Sequence, residues 1–191
     1  MEYIKTELDG VTIIRPKIFR DKRGYFFESF SQKEFESNVF PVSFIQDNES
    51  CSSINVVRAL HFQQPPYDMC KLVRVVSGSV LDVAVDVRKG SPTYGKHFAI
   101  ELSADNHLML FIPRGFAHGF VALTSNVIFD YKVDNIYNPQ SEVAIKWNDK
   151  DLNIDWHIDA EDAVLSDKDK KQIEFKEVES LFNYENYRYN I

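Results

Sequence analysis

The feature that most constrains the fold of this chain is a long succession of short segments rich in β-branched and aromatic residues. Turn-forming residues separate these segments, and such regular alternation is typical of a β-sandwich or a jelly-roll barrel. The segments that we predict as strands are 11–19, 24–30, 56–63, 71–76, 79–87, 98–102, 108–112, 119–123 and 127–133.

Outside these strands, three local patterns predict other structure. The polar run 20–23 (RDKR) separates the first two strands and predicts a hairpin. Ser31 and Glu34 have the spacing of a capping box, which predicts a helix over 31–38. The charged tail from Ser166 onward is predicted to be helical.

Strand alternation assigns the side chains of each predicted strand to one of its two faces. In the segment 80–87, Asp82 and Asp86 fall on one face. In the segment 56–63, Ala59 and His61 share a face, whereas Arg58 lies on the other face unless a bulge intervenes. The expected face of Arg58 therefore depends on the regularity of that strand.

Length and composition restrict the class of protein. The 191 residues are expected to form a single domain, 1–191, and the net charge of −7 argues against a nucleic-acid or anionic membrane surface. No apolar run approaches the ~20 residues of a membrane span. The start of the chain lacks a signal-peptide pattern, so Cys51 and Cys70 are expected as free thiols in the cytoplasm.

The motifs of common enzyme classes are absent from the sequence. It contains no G-x-S-x-G, P-loop or G-x-G-x-x-G pattern, which are typical of hydrolases, NTPases and nicotinamide enzymes. It also contains no H-x-H pair, and no Glu follows His61 at short strand spacing, which weakens the case for a metal site. An isolated histidine such as His61 or His118 is more often structural than catalytic.

The order of several motifs is far more specific than any one of them. RALHFQ, IPRGFAHGF, YKVDNIY and LSDKD follow one another between residues 58 and 169. In this order they closely resemble the dTDP-4-dehydrorhamnose 3,5-epimerase family, and the resemblance extends over about residues 1–169. It implies an all-β, cupin-like jelly-roll barrel (a double-stranded β-helix) that forms a homodimer and uses neither a metal nor a cofactor.

The resemblance also implies the roles of individual residues. His61 is the expected general base, Asp169 its partner and Tyr131 the opposing acid. Tyr137 matches the aromatic residue that stacks on thymine. The remaining substrate-binding positions match Arg23, Glu28, Gln46, Asp47, Asn48, Arg58, Lys71, His118, Glu142 and Lys168. This chain departs from the family at Ala59, where glycine is usual, and at Asp68-Met69, where Ala-Gln is common.

The implied reaction suits these residue types. A 4-keto group acidifies the hydrogens at C3 and C5, so inversion requires a base, a stabilised enolate and an acid on the other face. Lys71, with Arg58 nearby, is the expected enolate donor. An epimerase acting at C3 only or C5 only, a sugar-nucleotide-binding protein without activity, and a metal-dependent cupin stay open as alternatives.

Overall fold

The structure, a computed structural model, describes residues 1–167, 169 and 172–189. Its strands are β1 (Glu2–Lys5), β2 (Thr12–Arg15), β3 (Phe19–Asp21), β4 (Gly24–Phe26), β5 (Gln46–Ser52), β6 (Val57–Gln63), β7 (Lys71–Ser77), β8 (Ser79–Asp86), β9 (His97–Ser103), β10 (Met109–Ile112), β11 (Phe116–Ala122), β12 (Val127–Val133) and β13 (Glu142–Ala144). One α-helix, α1 (Gln32–Asn38), follows β4.

Eleven of these strands form two antiparallel sheets that face each other, and β3 and β4 pair separately. One sheet has the order β1-β2-β10-β7-β12-β5 and the other has the order β13-β6-β11-β8-β9. Inward-facing apolar side chains, among them Val73 and Phe129 from the first sheet and Ala84 and Phe120 from the second, form a shared core. Apart from β1-β2 and β8-β9, the neighbouring strands in these two sheets are not consecutive in the chain, which confirms the predicted jelly-roll barrel.

The outer faces of both sheets are covered as well. Phe35 of α1 packs edge-on against Phe111 of the six-stranded sheet, with ring centroids 5.1 Å apart. Residues after β13, including Trp147 and Trp156, cover the outer face of the five-stranded sheet. Because the outer faces are buried, β8 is apolar on both sides, and the sequence there reads as a nearly continuous apolar run.

The N-terminal segments differ from their prediction. The expected strand 11–19 is divided into β2 and β3, because Pro16 follows Arg15 and has no N–H to donate to a sheet. The hairpin does form, but only three residues on each side pair, with Asp21 opposite Gly24. Helix α1 is confirmed, and the Ser31 hydroxyl accepts a hydrogen bond from the Glu34 amide at 3.5 Å.

Within the described part of the C-terminal tail, Phe175–Glu177 and Tyr184–Asn186 each form a single 3-10 turn. An extended helix from Ser166 is not what the described residues form. Parts of the tail instead pair with the barrel, since Ile173 bridges Ile145 and Asn183 bridges Lys89. No helix within the described residues is both long and apolar enough to cross a membrane.

Candidate active site

A cavity of about 530 Å³ opens between the two sheets. Many of the residues expected at a site line it, and they are Gln46, Asn48, Arg58, His61, Lys71, His118, Tyr131, Tyr137, Glu142 and Asp169. Strands of both sheets contribute, so the cavity has a wall from each sheet. A cavity of this size lies within the usual range for a small-molecule ligand.

A β-bulge brings Arg58 and His61 onto the same wall. His118 of β11 lies opposite His61 of β6, and Phe120 lies opposite Arg58. The two pairs are two residues apart on β11 but three residues apart on β6, so β6 has one extra residue here. The extra residue on β6 turns Ala59 outward, where it packs in the outer core with Leu60 rather than beside His61. The expectation that Ala59 and His61 share a face is therefore wrong.

Gly119 lies directly against this bulge and explains why a glycine follows His118. A Cβ atom at Gly119 would lie 2.5 Å from the Cβ of Ala59 and 2.8 Å from the carbonyl oxygen of Arg58. The backbones of β6 and β11 thus approach so closely that no side chain fits between them. This close contact holds the bulge and, with it, the position of His61.

His61 and Asp169 are in direct contact, as the resemblance implied. The Nε2 atom of His61 lies 3.1 Å from Oδ1 of Asp169, although the two groups are not aligned as a hydrogen bond. Ser166 Oγ donates to Asp169 Oδ2 at 2.5 Å, and Gln172 Nε2 donates to Oδ1 at 3.0 Å. Burial raises the pKa of Asp169, but His61 and Ser166 outweigh this effect and lower it, so the carboxylate is charged at neutral pH.

A second histidine–aspartate pair lies deeper in the cavity. His118 Nε2 is 2.9 Å from Oδ2 of Asp82, and both side chains are almost fully buried. Burial lowers the pKa of His118, and nearby Lys71 lowers it further, against the opposing effect of Asp82. Our site prediction did not include Asp82. An acidic residue within an apolar strand was the available signal, because a buried carboxylate requires a partner.

Lys71 begins β7 and projects into the cavity close to this pair. The residue as a whole is partly accessible, but protein atoms surround its ammonium group. Burial lowers the pKa of Lys71 to about 8, even though Asp82 and Glu142 favour its charged form. The ammonium group is therefore mostly protonated at neutral pH and loses its charge within the mildly alkaline range.

Tyr131 lies on β12, in the sheet that faces His61. Strand β12 runs between β7 and β5, so Tyr131 is opposite Val73 on one side and Asn48 on the other. Burial raises the pKa of the Tyr131 hydroxyl, with Arg58 acting in the opposite direction. The phenol consequently stays protonated at neutral pH and can act as a proton donor.

Several expected site residues lie elsewhere. Arg23 is in the exposed β3–β4 hairpin, where it pairs with Asp21 at 2.6 Å, and Glu28 is also exposed outside the cavity. Asp47 points to the other side of β5 and binds Lys132 at 2.8 Å, because strand side chains alternate. Lys168 is outside the described residues. Among those residues, no cluster of three or more His, Cys, Asp or Glu side chains is arranged to hold a metal ion.

Comparisons with known proteins agree with this geometry. A family model described as dTDP-4-dehydrorhamnose 3,5-epimerase matches residues 5–177. The chain is 51% identical to the dTDP-4-dehydrorhamnose 3,5-epimerase of Shigella flexneri over 170 residues, which cover 88% of this chain and 93% of that protein.

Solved structures give the same result. The dTDP-6-deoxy-D-glucose-3,5-epimerase of Legionella pneumophila, in complex with dTDP-4-keto-L-rhamnose, has a TM-score of 0.89 and 41% identity, covering 93% of this chain and 94% of that one. A 3′-monoepimerase from Streptomyces bikiniensis, in complex with dTDP-quinovose, has a TM-score of 0.88 but only 29% identity, covering 96% and 94%. The chain belongs to the dTDP-4-dehydrorhamnose 3,5-epimerase family.

Proposed function

We propose that this protein converts dTDP-4-dehydro-6-deoxy-D-glucose to dTDP-4-dehydro-L-rhamnose by inverting C3 and C5, in the cytoplasm and without a metal or cofactor. One observation carries this proposal: a histidine paired with a carboxylate and a protonated tyrosine line one cavity from opposite sheets. A sugar ring held between His61 and Tyr131 has a base on one face and an acid on the other. Inversion at carbon requires that arrangement.

In the first step, His61 removes the proton from the carbon beside the 4-keto group. The C–H electron pair forms the C=C bond of an enolate, and the carbonyl π electrons move to the oxygen at C4. Asp169 holds the imidazole and stabilises the imidazolium that forms, because its carboxylate is charged and anchored by Ser166 and Gln172. With Nε2 directed towards Asp169, Nδ1 is the ring atom left to accept the proton.

The enolate oxygen requires a cationic donor within a dry site. Lys71 meets this requirement, since its ammonium group is enclosed and mostly charged at neutral pH. Tyr131 then donates its proton to the same carbon from the opposite face, which inverts the centre. Tyr131 regains a proton from water, His61 releases one, and the cycle repeats at the second carbon. No electrons are exchanged with a second reactant.

The nucleotide end of the substrate fits the outer part of the cavity. Gln46 and Asn48 project from alternate positions of β5 into the cavity, and their amides are suitable donors for a diphosphate. Tyr137 is 54% exposed, so its ring is accessible to stack on a thymine. These contacts lie away from the reacting carbons, so their binding energy serves to position the sugar.

We propose further that the protein acts as a homodimer in which the β3–β4 hairpin reaches the partner's cavity. The hairpin exposes three aromatic rings, Phe19, Tyr25 and Phe26, of which Phe26 is 70% exposed. It also carries Arg23, an expected nucleotide contact that lies outside the cavity of its own chain. A fully active monomer at assay concentration would contradict this proposal.

The deciding experiment is incubation with dTDP-4-dehydro-6-deoxy-D-glucose in deuterated water, followed by mass spectrometry and product NMR. We expect deuterium at two carbon positions and a product with the L-rhamno configuration. Deuterium at only one position would identify a single-site epimerase instead. No incorporation, with nucleotide-sugar binding intact, would indicate a binding protein without activity.

A further inference from the structure

The tail 178–189 lies beyond the part of the chain that the family model matches, which ends at residue 177. It nevertheless packs firmly on the barrel. The carbonyl of Phe182 accepts a hydrogen bond from the Lys89 amide at 2.9 Å, and the amide of Tyr184 donates to the Lys89 carbonyl at 2.9 Å. Phe182 itself is only 1% exposed. The tail is therefore part of the folded domain and not a loose extension.

The tail contacts the loop 64–70 near both of its ends. At the first end, Gln64 bridges the tail backbone: its Nε2 donates to the Glu179 carbonyl at 2.7 Å, and its Oε1 accepts from the Leu181 amide at 3.0 Å. At the other end, the hydroxyl of Tyr187 donates to Oδ2 of Asp68 at 3.3 Å. The loop is thus attached to the tail on both sides of its cis-proline segment.

Asp68 connects this contact to the rest of the barrel. It is buried. Its carbonyl oxygen accepts a hydrogen bond from Arg114 Nε at 3.3 Å and its carboxylate forms an ion pair with the same group, while Arg114 also pairs with Asp134 at the end of β12. Tyr189 extends the contact, since its hydroxyl donates to the Arg114 carbonyl at 2.8 Å. Two tail tyrosines therefore hold the network that fixes the position of Asp68.

The loop and the tail both contribute side chains to the cavity. Met69, immediately after Asp68, and Phe182 of the tail are lining residues. Phe182 is supported by Tyr187, whose ring lies edge-on at 4.8 Å, and by Phe62 at 6.0 Å. One tail residue, Tyr187, thus contacts both Phe182 and the residue preceding Met69.

From these contacts we infer that the tail 178–189 is a positioning element of the sugar-binding cavity. Tyr187 holds two apolar side chains in the wall of that cavity: Phe182 by direct ring contact, and Met69 through the hydrogen bond to Asp68. The inference rests on the proposed function, because the ligand that this wall contacts is the deoxysugar nucleotide. An apolar surface formed by a thioether and a phenyl ring suits a hydrocarbon part of the sugar better than its hydroxyl groups. The tail therefore acts on substrate binding and not on the proton transfers.

Tyr187→Phe is the most selective test, because it removes the hydroxyl bond to Asp68 and keeps the ring that packs on Phe182. Tyr184→Phe is the matched control, since it deletes the same atom from a tyrosine whose ring lies against Arg88 rather than the loop. Phe182→Leu tests the wall directly. Amide hydrogen exchange of the 64–70 peptide and steady-state kinetics with dTDP-4-dehydro-6-deoxy-D-glucose are measured for each variant.

We expect Tyr187→Phe to increase amide exchange in the loop by about tenfold, the effect of losing one hydrogen bond to a charged group. We expect KM to rise about 3- to 10-fold in Tyr187→Phe and Phe182→Leu with kcat unchanged, which is the signature of lost uniform binding. Tyr184→Phe should match the parent in both measurements.

Loop exchange in Tyr187→Phe that equals the Tyr184→Phe control would overturn the inference. A lower melting temperature with parental KM would do the same, because it would reduce the tail to a structural role. A parent protein that incorporates no deuterium would instead refute the proposed function. The exchange measurement would still decide whether the tail holds the loop.

Discussion

Replacement of Lys71 by methionine removes the ammonium group that we propose stabilises the enolate oxygen. It leaves an uncharged side chain of similar length. Loss of one preorganised donor typically lowers kcat by about 10²- to 10³-fold. Lys132→Met is the matched control: Lys132 also lies at the end of a strand of the same sheet, but it pairs with Asp47 on the outer side. We expect the control to keep the parental rate.

The same ammonium group predicts the alkaline side of the pH profile. With its pKa at about 8, Lys71 is about 90% charged at pH 7 and about 10% charged at pH 9, so kcat/KM of the parent should fall about tenfold between these values. Asp82, Glu142 and His118 surround the group; the two carboxylates favour its charge, and His118 is uncharged there because its pKa is lowered.

Deuterium incorporation measured from pH 6 to 10 tests both parts of this reasoning. The Lys71→Met variant should be slow and should lack the decline above pH 8. A variant that keeps more than about a tenth of the parental kcat would refute the role of Lys71, because the loss would fall short of one donor. A parental kcat/KM that is flat from pH 7 to 9 would refute the assigned protonation state.

Four further results are expected. Tyr131→Phe should still incorporate deuterium but should invert about 10²- to 10⁴-fold more slowly, and inversion at the parental rate would return Tyr131 to a packing role. His61→Ala should lose deuterium exchange and keep its affinity for dTDP, as calorimetry would measure. Prolonged chelation should leave the activity of the protein unchanged, and stoichiometric metal whose removal abolishes turnover would contradict this. Gly119→Ala should lower the free energy of unfolding by about 1–3 kcal/mol, and added Ala59→Gly should restore only part, since backbone atoms also approach Gly119.

The regular parts of the fold were predictable from local pattern alone. Strand β12 matches its predicted bounds, and β6 and β7 differ by one residue, because turn residues and alternation define their ends. Strands β1, β5 and β13 were not among the predicted strands. The first and last are only four and three residues long, and β5 is polar and mostly exposed, so each gives too little signal. The first strand was predicted too long, because a single Pro16 outweighed the β-branched residues around it.

The site was predictable in membership but less so in geometry. Alternation alone separated Arg58 from His61, and only the bulge, which depends on contact with β11, reunites them. Asp47 shows the opposite case. It lies between Gln46 and Asn48, which both line the cavity, but strand alternation directs its own side chain to the other face of β5. The contributions of Met69 and Phe182 were beyond sequence reasoning, because both depend on contacts between segments over a hundred residues apart.

The completely buried guanidinium group of Arg88 has a consequence for the timing of folding. Its partners come from the end of β8 and from the C-terminal tail: Asp86 binds it through two hydrogen bonds, the Tyr187 carbonyl accepts from it at 2.9 Å, and the rings of Tyr184 and Tyr189 lie over it. The ribosome synthesises residues 184–189 after every strand of the barrel. Until they arrive, Arg88 lacks the carbonyl and the tyrosine rings that enclose it, and a buried charge without its partners is costly. Docking of segment 184–189 is therefore the step that completes the enclosure of Arg88, and it cannot precede the synthesis of the strands.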